Sequence, residues 1–205
     1  MITLGEGQKR RKSVLYVGCH HGMEWITAAI LMRFLEELCE KYENGNTVFN
    51  ISSRVLLETR RLHIIPMLNP DGIEYQIHGI STNHFLADRI MKMNKGSNDL
   101  SHWQANARGV DLNHNYNAGF KEYKIIERNL HIDNGAPTKY SGEYPESEPE
   151  TAALCKLCRR FPVKMNAVAL TEIRIPRDKR VKIIDGKTVF QGKFTQKCVA
   201  FQDEI

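Results

Sequence analysis

The stretch "SVLYVGCHHGMEWITAAILMRFLEEL", residues 13–38, decides the fold. Its opening run, 13–18, is apolar with β-branched and aromatic residues, which predicts a short buried strand. From Glu24 the period changes. Ile26, Ile30, Phe34 and Leu38 recur every four residues, joined by Leu31 and Leu35, while Glu36, Glu37, Glu40 and Lys41 lie off that stripe. This predicts an amphipathic helix that ends near "ENGN", 43–46. Where strand gives way to helix lies "GCHHGMEWI", 18–26, with two histidines and a glutamate.

Further along, "RLHIIPML" (61–68) predicts a second strand, running into "NPDG" (69–72), read as a tight turn in which Asn69, Asp71 and Gly72 shape a pocket floor. Residues 78–106 show no clear period and read as a long loop. "RGVDLNHNY" (108–116) reads as a short strand or extended piece, and "AGFKEYKIIERNL" (118–130) as a helix. "NGAPTKYSGEYPESEPE" (134–150) is turn-rich and feeds a helix over 148–161, started by Ser147, Glu148, Pro149 and Glu150. "VKMNAVAL" (163–170) predicts another strand. Strand, helix, strand, loop, helix, strand is the rhythm of an α/β domain with a largely parallel sheet. In such sheets a site lies beyond the C-terminal ends of the strands, which is where His21, Glu24 and Asn69 to Gly72 fall.

Bulk properties narrow the function. The chain has 205 residues, 41% hydrophobic and 26% charged, enough for one domain with a real core. No apolar run approaches the ~18 residues of a membrane span, and "MITLGEGQKRRKS" has no apolar segment of a secretory leader. Five cysteines are an odd number, and Cys155 and Cys158 fall within a predicted helix as ordinary thiols, which favours a reducing, cytoplasmic location. Net charge is +5, and residues 171–205 hold eight Lys and Arg against five Asp and Glu. That excess reads as a solvated basic tail, with neither a nucleic-acid nor a membrane partner expected.

His21-x-x-Glu24 can offer one nitrogen and one oxygen ligand from a single turn, a donor pair that zinc accepts. His20 sits one step earlier and points elsewhere. On spacing alone the simpler reading is a helix start, with Glu24 near its positive end and a hydrogen-bonded histidine. Trp25 and Trp103 read as packing residues, and His63 as a strand histidine in the core or at an edge.

Four stretches change the balance. "GCHHGMEW" (18–25), "IPMLNPDGIEY" (65–75), "NARGVDLNHNY" (106–116) and "YSGEYPESEPET" (140–151) occur in that order, and together the chain resembles the zinc carboxypeptidases, the M14 metallopeptidases. The resemblance implies an α/β/α domain on a mixed, mainly parallel sheet, here incomplete at both ends, with residues 1–170 as a partial peptidase domain and 171–205 as an unrelated tail. It implies a zinc cofactor held by His21 and Glu24 and a peptide substrate. In the family's "DLNRN" element Asn and Arg bind the substrate carboxylate; here the element reads "DLNHN", so Asn113 and His114 take those places. Arginine grips a carboxylate with a fixed charge and a two-pronged fork, and histidine does not. The variant is similar to the bacterial branch that cuts γ-D-glutamyl–diaminopimelate bonds in peptidoglycan stem peptides. The family's upstream arginine, which polarises the scissile carbonyl, is implied at Arg108, with Gln104 as the other position that can match.

The resemblance also leaves gaps. The family's third zinc ligand is a histidine just after the strand at 167–170, where Thr171 stands, and no histidine follows His131. Its general base is a later glutamate, and neither Glu172 nor Glu204 lies in a matching motif. Two outcomes stay open: a zinc-dependent hydrolase, or an inactive homologue that still binds a stem peptide.

Overall fold

The computed structural model describes residues 1–5, 13–48, 50–80, 84–160, 166–170, 182–184 and 187–189. Along the chain these form β1 (Ile2–Leu4), β2 (Ser13–Gly18), α1 (Ile26–Glu43), β3 (Thr47–Val48), β4 (Ile51–Ser52), α2 (Ser53–Thr59), β5 (Arg61–Ile65), α3 (Pro70–His78), α4 (His84–Met93), α5 (Phe120–Asn129), α6 (Pro149–Arg160), β6 (Asn166–Leu170), β7 (Lys182–Ile184) and β8 (Lys187–Val189). Thr171, Glu172 and Glu204 lie outside the described residues.

The central sheet runs β1-β5-β2-β6. β2 is parallel to both neighbours, with Val14 opposite Leu62 on one side and Asn166 on the other. β1 is antiparallel to β5, with Thr3 opposite His63. The chain is therefore α/β with a mixed sheet, as expected, but the sheet starts earlier than Ser13, at Ile2. Alternation along β2 assigns its faces. Leu15 and Val17 pack with Leu68, Leu112, Tyr116 and Leu154, so α6 covers one face. Tyr16 meets Phe34 at 5.8 Å between ring centroids, so α1 covers the other.

Local chemistry explains where the sequence reading has to be corrected. The buried line of α1 is Thr27, Leu31 and Leu38, and Ile26 is exposed. Thr27 takes a core position because its hydroxyl accepts from Cys19 N at 2.9 Å and donates to Glu24 O at 2.8 Å. "NPDG" is a helix start, not a free turn. Asn69 caps α3 by accepting from Gly72 N at 2.9 Å, and Pro70 stands first in the helix, where no N–H is needed. The stretch read as a long loop contains α4, whose Ile90 and Met93 pack with Tyr75, Leu100 and Trp103 in a second core. Residues 108–116 form no strand; Leu112–His114 is a single 3-10 turn capped by Asp111. Trp103 is buried as expected, whereas Trp25 is half exposed. His63 is buried in β5, hydrogen-bonded through Nδ1 to Thr3 Oγ1 at 2.9 Å.

Candidate active site

The site grows from the C-terminal ends of β2 and β5, which lie side by side. Leu68 N donates to Gly18 O at 3.0 Å and Asn69 N to Cys19 O at 2.9 Å, so the two exits stay in register past the sheet. Cys19 then takes φ 57°, the left-handed region that a residue with a Cβ rarely adopts. The reversal separates the two histidines. His20 turns into the core and meets Tyr116 Oη through Nε2 at 2.9 Å, and burial pushes its protonation down to about 4. His21 leads into a 3-10 turn, Gly22–Glu24, that precedes α1.

One side chain fastens this turn to its surroundings. Asn69 is fully buried, and its Nδ2 donates to His20 O at 3.1 Å, Gln104 O at 3.2 Å and Ala105 O at 3.1 Å. Gly22 N also donates to Gln104 O at 3.2 Å. Gly22 rests on the backbone of Gly72, and a Cβ on either would collide: at Gly72 it would stand 2.6 Å from Asn69 Nδ2 and 2.7 Å from Ala105 O. The glycines are there so that two backbones can touch.

His21 is held from both ends of its ring. Nδ1 lies 3.1 Å from Glu24 Oε1, and Nε2 lies 3.2 Å from Asp111 Oδ1. Asp111 is buried and fixed in turn: Lys139 N donates to its Oδ2 at 2.9 Å and Asn113 N to its Oδ1 at 3.2 Å. Burial alone would lower the His21 pKa, but the hydrogen bonds and charges of Asp111 and Glu24 outweigh it and raise it to about 10. Burial works to raise the Asp111 carboxyl, and His21 holds it below its ordinary value.

His114 sits on the far side of the same carboxylate, Nε2 3.7 Å from Asp111 Oδ2. Its ring lies flat on Tyr123, centroids 4.1 Å apart and planes 10° from parallel. Burial lowers its pKa despite Asp111, so the ring is neutral near pH 7. Asn113 is half-buried at the same turn. Thus His21, Asn113 and His114 gather around Asp111, and Glu24 meets the other edge of the His21 ring. Arg108 turns elsewhere: its Nε is 3.6 Å from Glu148 Oε2, and among the described residues nothing joins it to His21, Glu24 or Asp111. Gln104 is the nearer residue. Its Oε1 accepts from Thr138 Oγ1, and its Nε2 reaches Met23 Sδ at 3.5 Å, over the turn between His21 and Glu24.

"YSGEYPESEPET" has an architectural role. Asn115, fully buried, donates to Ser141 O at 2.7 Å and Ser147 Oγ at 2.9 Å and accepts from Glu148 N at 3.2 Å, pinning that segment beside the Asp111 turn.

These atoms fit half of a zinc centre. An imidazole nitrogen and a carboxylate oxygen converge, and the other imidazole nitrogen is engaged by a buried carboxylate, the usual support of a metal-bound histidine. Among the described residues no group of three or more His, Cys, Asp or Glu is arranged to hold a metal. The zinc carboxypeptidase family matches residues 1–172. The chain belongs to that family. Among its relatives is gamma-D-glutamyl-L-diamino acid endopeptidase 1 of Lysinibacillus sphaericus, 34% identical over 158 residues, covering 77% of this chain and 38% of the relative. The carboxypeptidase N catalytic chain of Mus musculus is 34% identical over 157 residues, covering 75% of this chain and 30% of the relative. The chain thus spans well under half the length of these relatives. In fold it is similar to carboxypeptidase A from Helicoverpa armigera, with a TM-score of 0.50 and 17% identity, over 79% of this chain and 34% of that one.

Proposed function

We propose that this chain carries part of the centre of a zinc-dependent peptidase, acting on γ-D-glutamyl–diamino acid bonds of peptidoglycan stem peptides. The observation that carries the reading is His21 held between Glu24 and the buried Asp111. Asp111 engages Nε2 and leaves Nδ1 facing Glu24, so these two side chains form the metal-facing pair. Zinc held there would polarise a peptide carbonyl and make bound water acidic enough to attack it.

The remaining roles follow from what each side chain can offer. Gln104, above the His21–Glu24 turn, is assigned to the scissile carbonyl as a neutral hydrogen-bond donor, in place of Arg108, which pairs with Glu148. Asn113 and His114 contact the substrate beyond the scissile bond. A neutral, stacked His114 offers a single N–H and no fixed cation, so it is poorly suited to grip a free α-carboxylate. That supports a γ-linked internal bond as target, in keeping with the name of the Lysinibacillus relative. Among the described residues Cys19, Cys39 and Cys155 are free thiols, which fits a cytoplasmic location. No helix among the described residues is long and apolar enough to cross a membrane.

A synthetic L-Ala-γ-D-Glu–diaminopimelyl-D-Ala peptide, in which the γ-linked bond is internal, tests this reading. Zinc-dependent release of diaminopimelyl-D-Ala, abolished in His21→Ala, is expected. Cleavage of an ordinary C-terminal residue in preference to the γ-linked bond would overturn the substrate assignment. That only two metal donors converge among the described residues favours a second reading, binding without turnover. It would show as saturable peptide binding with no product.

A further inference from the structure

A concavity of about 460 Å³ is lined by neither His21 nor Glu24. Its floor is built from Met93, Val110 and Tyr140, and its rim from Arg89, Lys92 and Arg108. The volume falls in the range of about 300–1,000 Å³ typical of small-molecule sites. Arg89 and Lys92 are three apart on α4, so they share one face of that helix. Among the described residues neither forms an ion pair. Arg108 reaches across from the loop before the Asp111 turn, with its side chain 54% exposed.

Two carboxylates also line the cavity, Glu143 and Glu148. Glu148 is buried and already committed: it accepts from Asn106 Nδ2 at 2.8 Å and Ser147 Oγ at 2.9 Å, besides lying 3.6 Å from Arg108. Glu143 is exposed at the edge. The rim therefore carries more positive than negative charge around an apolar floor. Arg108 already lies beside Glu148, so the excess positive charge rests on Arg89 and Lys92, whose mutual repulsion an added anion would offset. The walls are also set by packing: Gly109 (φ 76°) and Gly135 (φ 69°) close on Met93 Sδ, and a Cβ on either would collide with it. The concavity is thus a built feature of the fold.

We infer that this cavity binds a small organic anion, its oxyanion head held by Arg89, Lys92 and Arg108 and its short apolar body resting on Met93, Val110 and Tyr140. The head is either a phosphate ester or a pair of carboxylates. Both present several oxygens to guanidinium and ammonium groups. The inference does not depend on the peptidase reading, since it uses none of the metal-facing residues.

Titrating phenyl phosphate and, separately, glutarate into the full chain, followed by amide NMR shifts, tests it. Saturable shifts at residues 89–93, 108–110 and 134–143 are expected, with affinity lowered at least about tenfold in Arg89→Glu/Lys92→Glu, since two charge-assisted contacts become repulsive. These two side chains are exposed, so the double variant is expected to fold, and its amide spectrum checks that. Tighter phenyl phosphate would identify a phosphate ester, and tighter glutarate a dicarboxylate. Absence of saturable shifts with both probes, or binding unchanged in the double variant, would overturn the inference.

Discussion

His21 touches two carboxylates, and each has its own task. Glu24 lies one turn away on the same segment and shares the face a metal would occupy, whereas Asp111 arrives from ninety residues further along and fixes the ring. Asp111→Asn keeps the shape but removes the charge and offers His21 the wrong partner. Zinc affinity is expected to fall about 10–100-fold with the fold intact, as read by competition with a zinc-sensitive dye. Asn69→Ala is expected to act differently. It leaves His20 O and Ala105 O without their Asn69 donor, leaves Gln104 O with Gly22 N alone, and uncaps α3, costing roughly 2–4 kcal/mol in urea unfolding. The contrast shows what a sequence can reveal at this scale. His21 and Glu24 are neighbours in the chain, so their spacing announces them. Asp111 was in full view within "DLNHN", two residues before Asn113, but only the fold brings it to His21. Gln104 and Arg108 are four residues apart in one loop, and which of them faces the site depends on the turn between them.

Between elements, the decisive contact is the 3-10 turn at Gly22 against the first turn of α3 at Gly72. Gly22→Ala would drive a methyl group into the Gly72 carbonyl, and the turn bearing both metal-facing residues would have to shift. A destabilisation of about 1–3 kcal/mol is expected, together with loss of zinc binding beyond what that destabilisation explains. Calorimetric unfolding and zinc titration on the same variant separate the two effects. β2, β5, α1, α5 and α6 were readable because each combines a clear period with a boundary signal. α4 was not, although Leu86, Ile90 and Met93 carry its stripe. It is under three turns long and sits among polar residues that dilute the period over 78–106. "NPDG" misled because proline, asparagine and glycine serve a turn and a helix start equally well.

For the molecule as a whole, the mixed sheet is the platform, and His63 links its antiparallel edge to the parallel strands. Burial and the nearby Arg61 hold His63 below its ordinary pKa, so the unfolded chain takes up the proton first as pH falls. The resulting stability is complete above the ordinary histidine range, near pH 6.5, and is lost as pH falls through the lowered value. Urea midpoints are expected to drop on the acid side, with a shallower drop in His63→Leu. The α/β architecture was legible in the alternation of strands and helices. The strand at Ile2–Leu4 was not, since three residues carry too little pattern and owe their conformation to pairing with β5. The central claim concerns the metal-facing pair, and equilibrium dialysis against micromolar zinc tests it most directly, with native protein and His21→Ala side by side. The account predicts about one zinc per chain in the native protein that the variant fails to hold. Equal zinc in both proteins, or none in either, would contradict it.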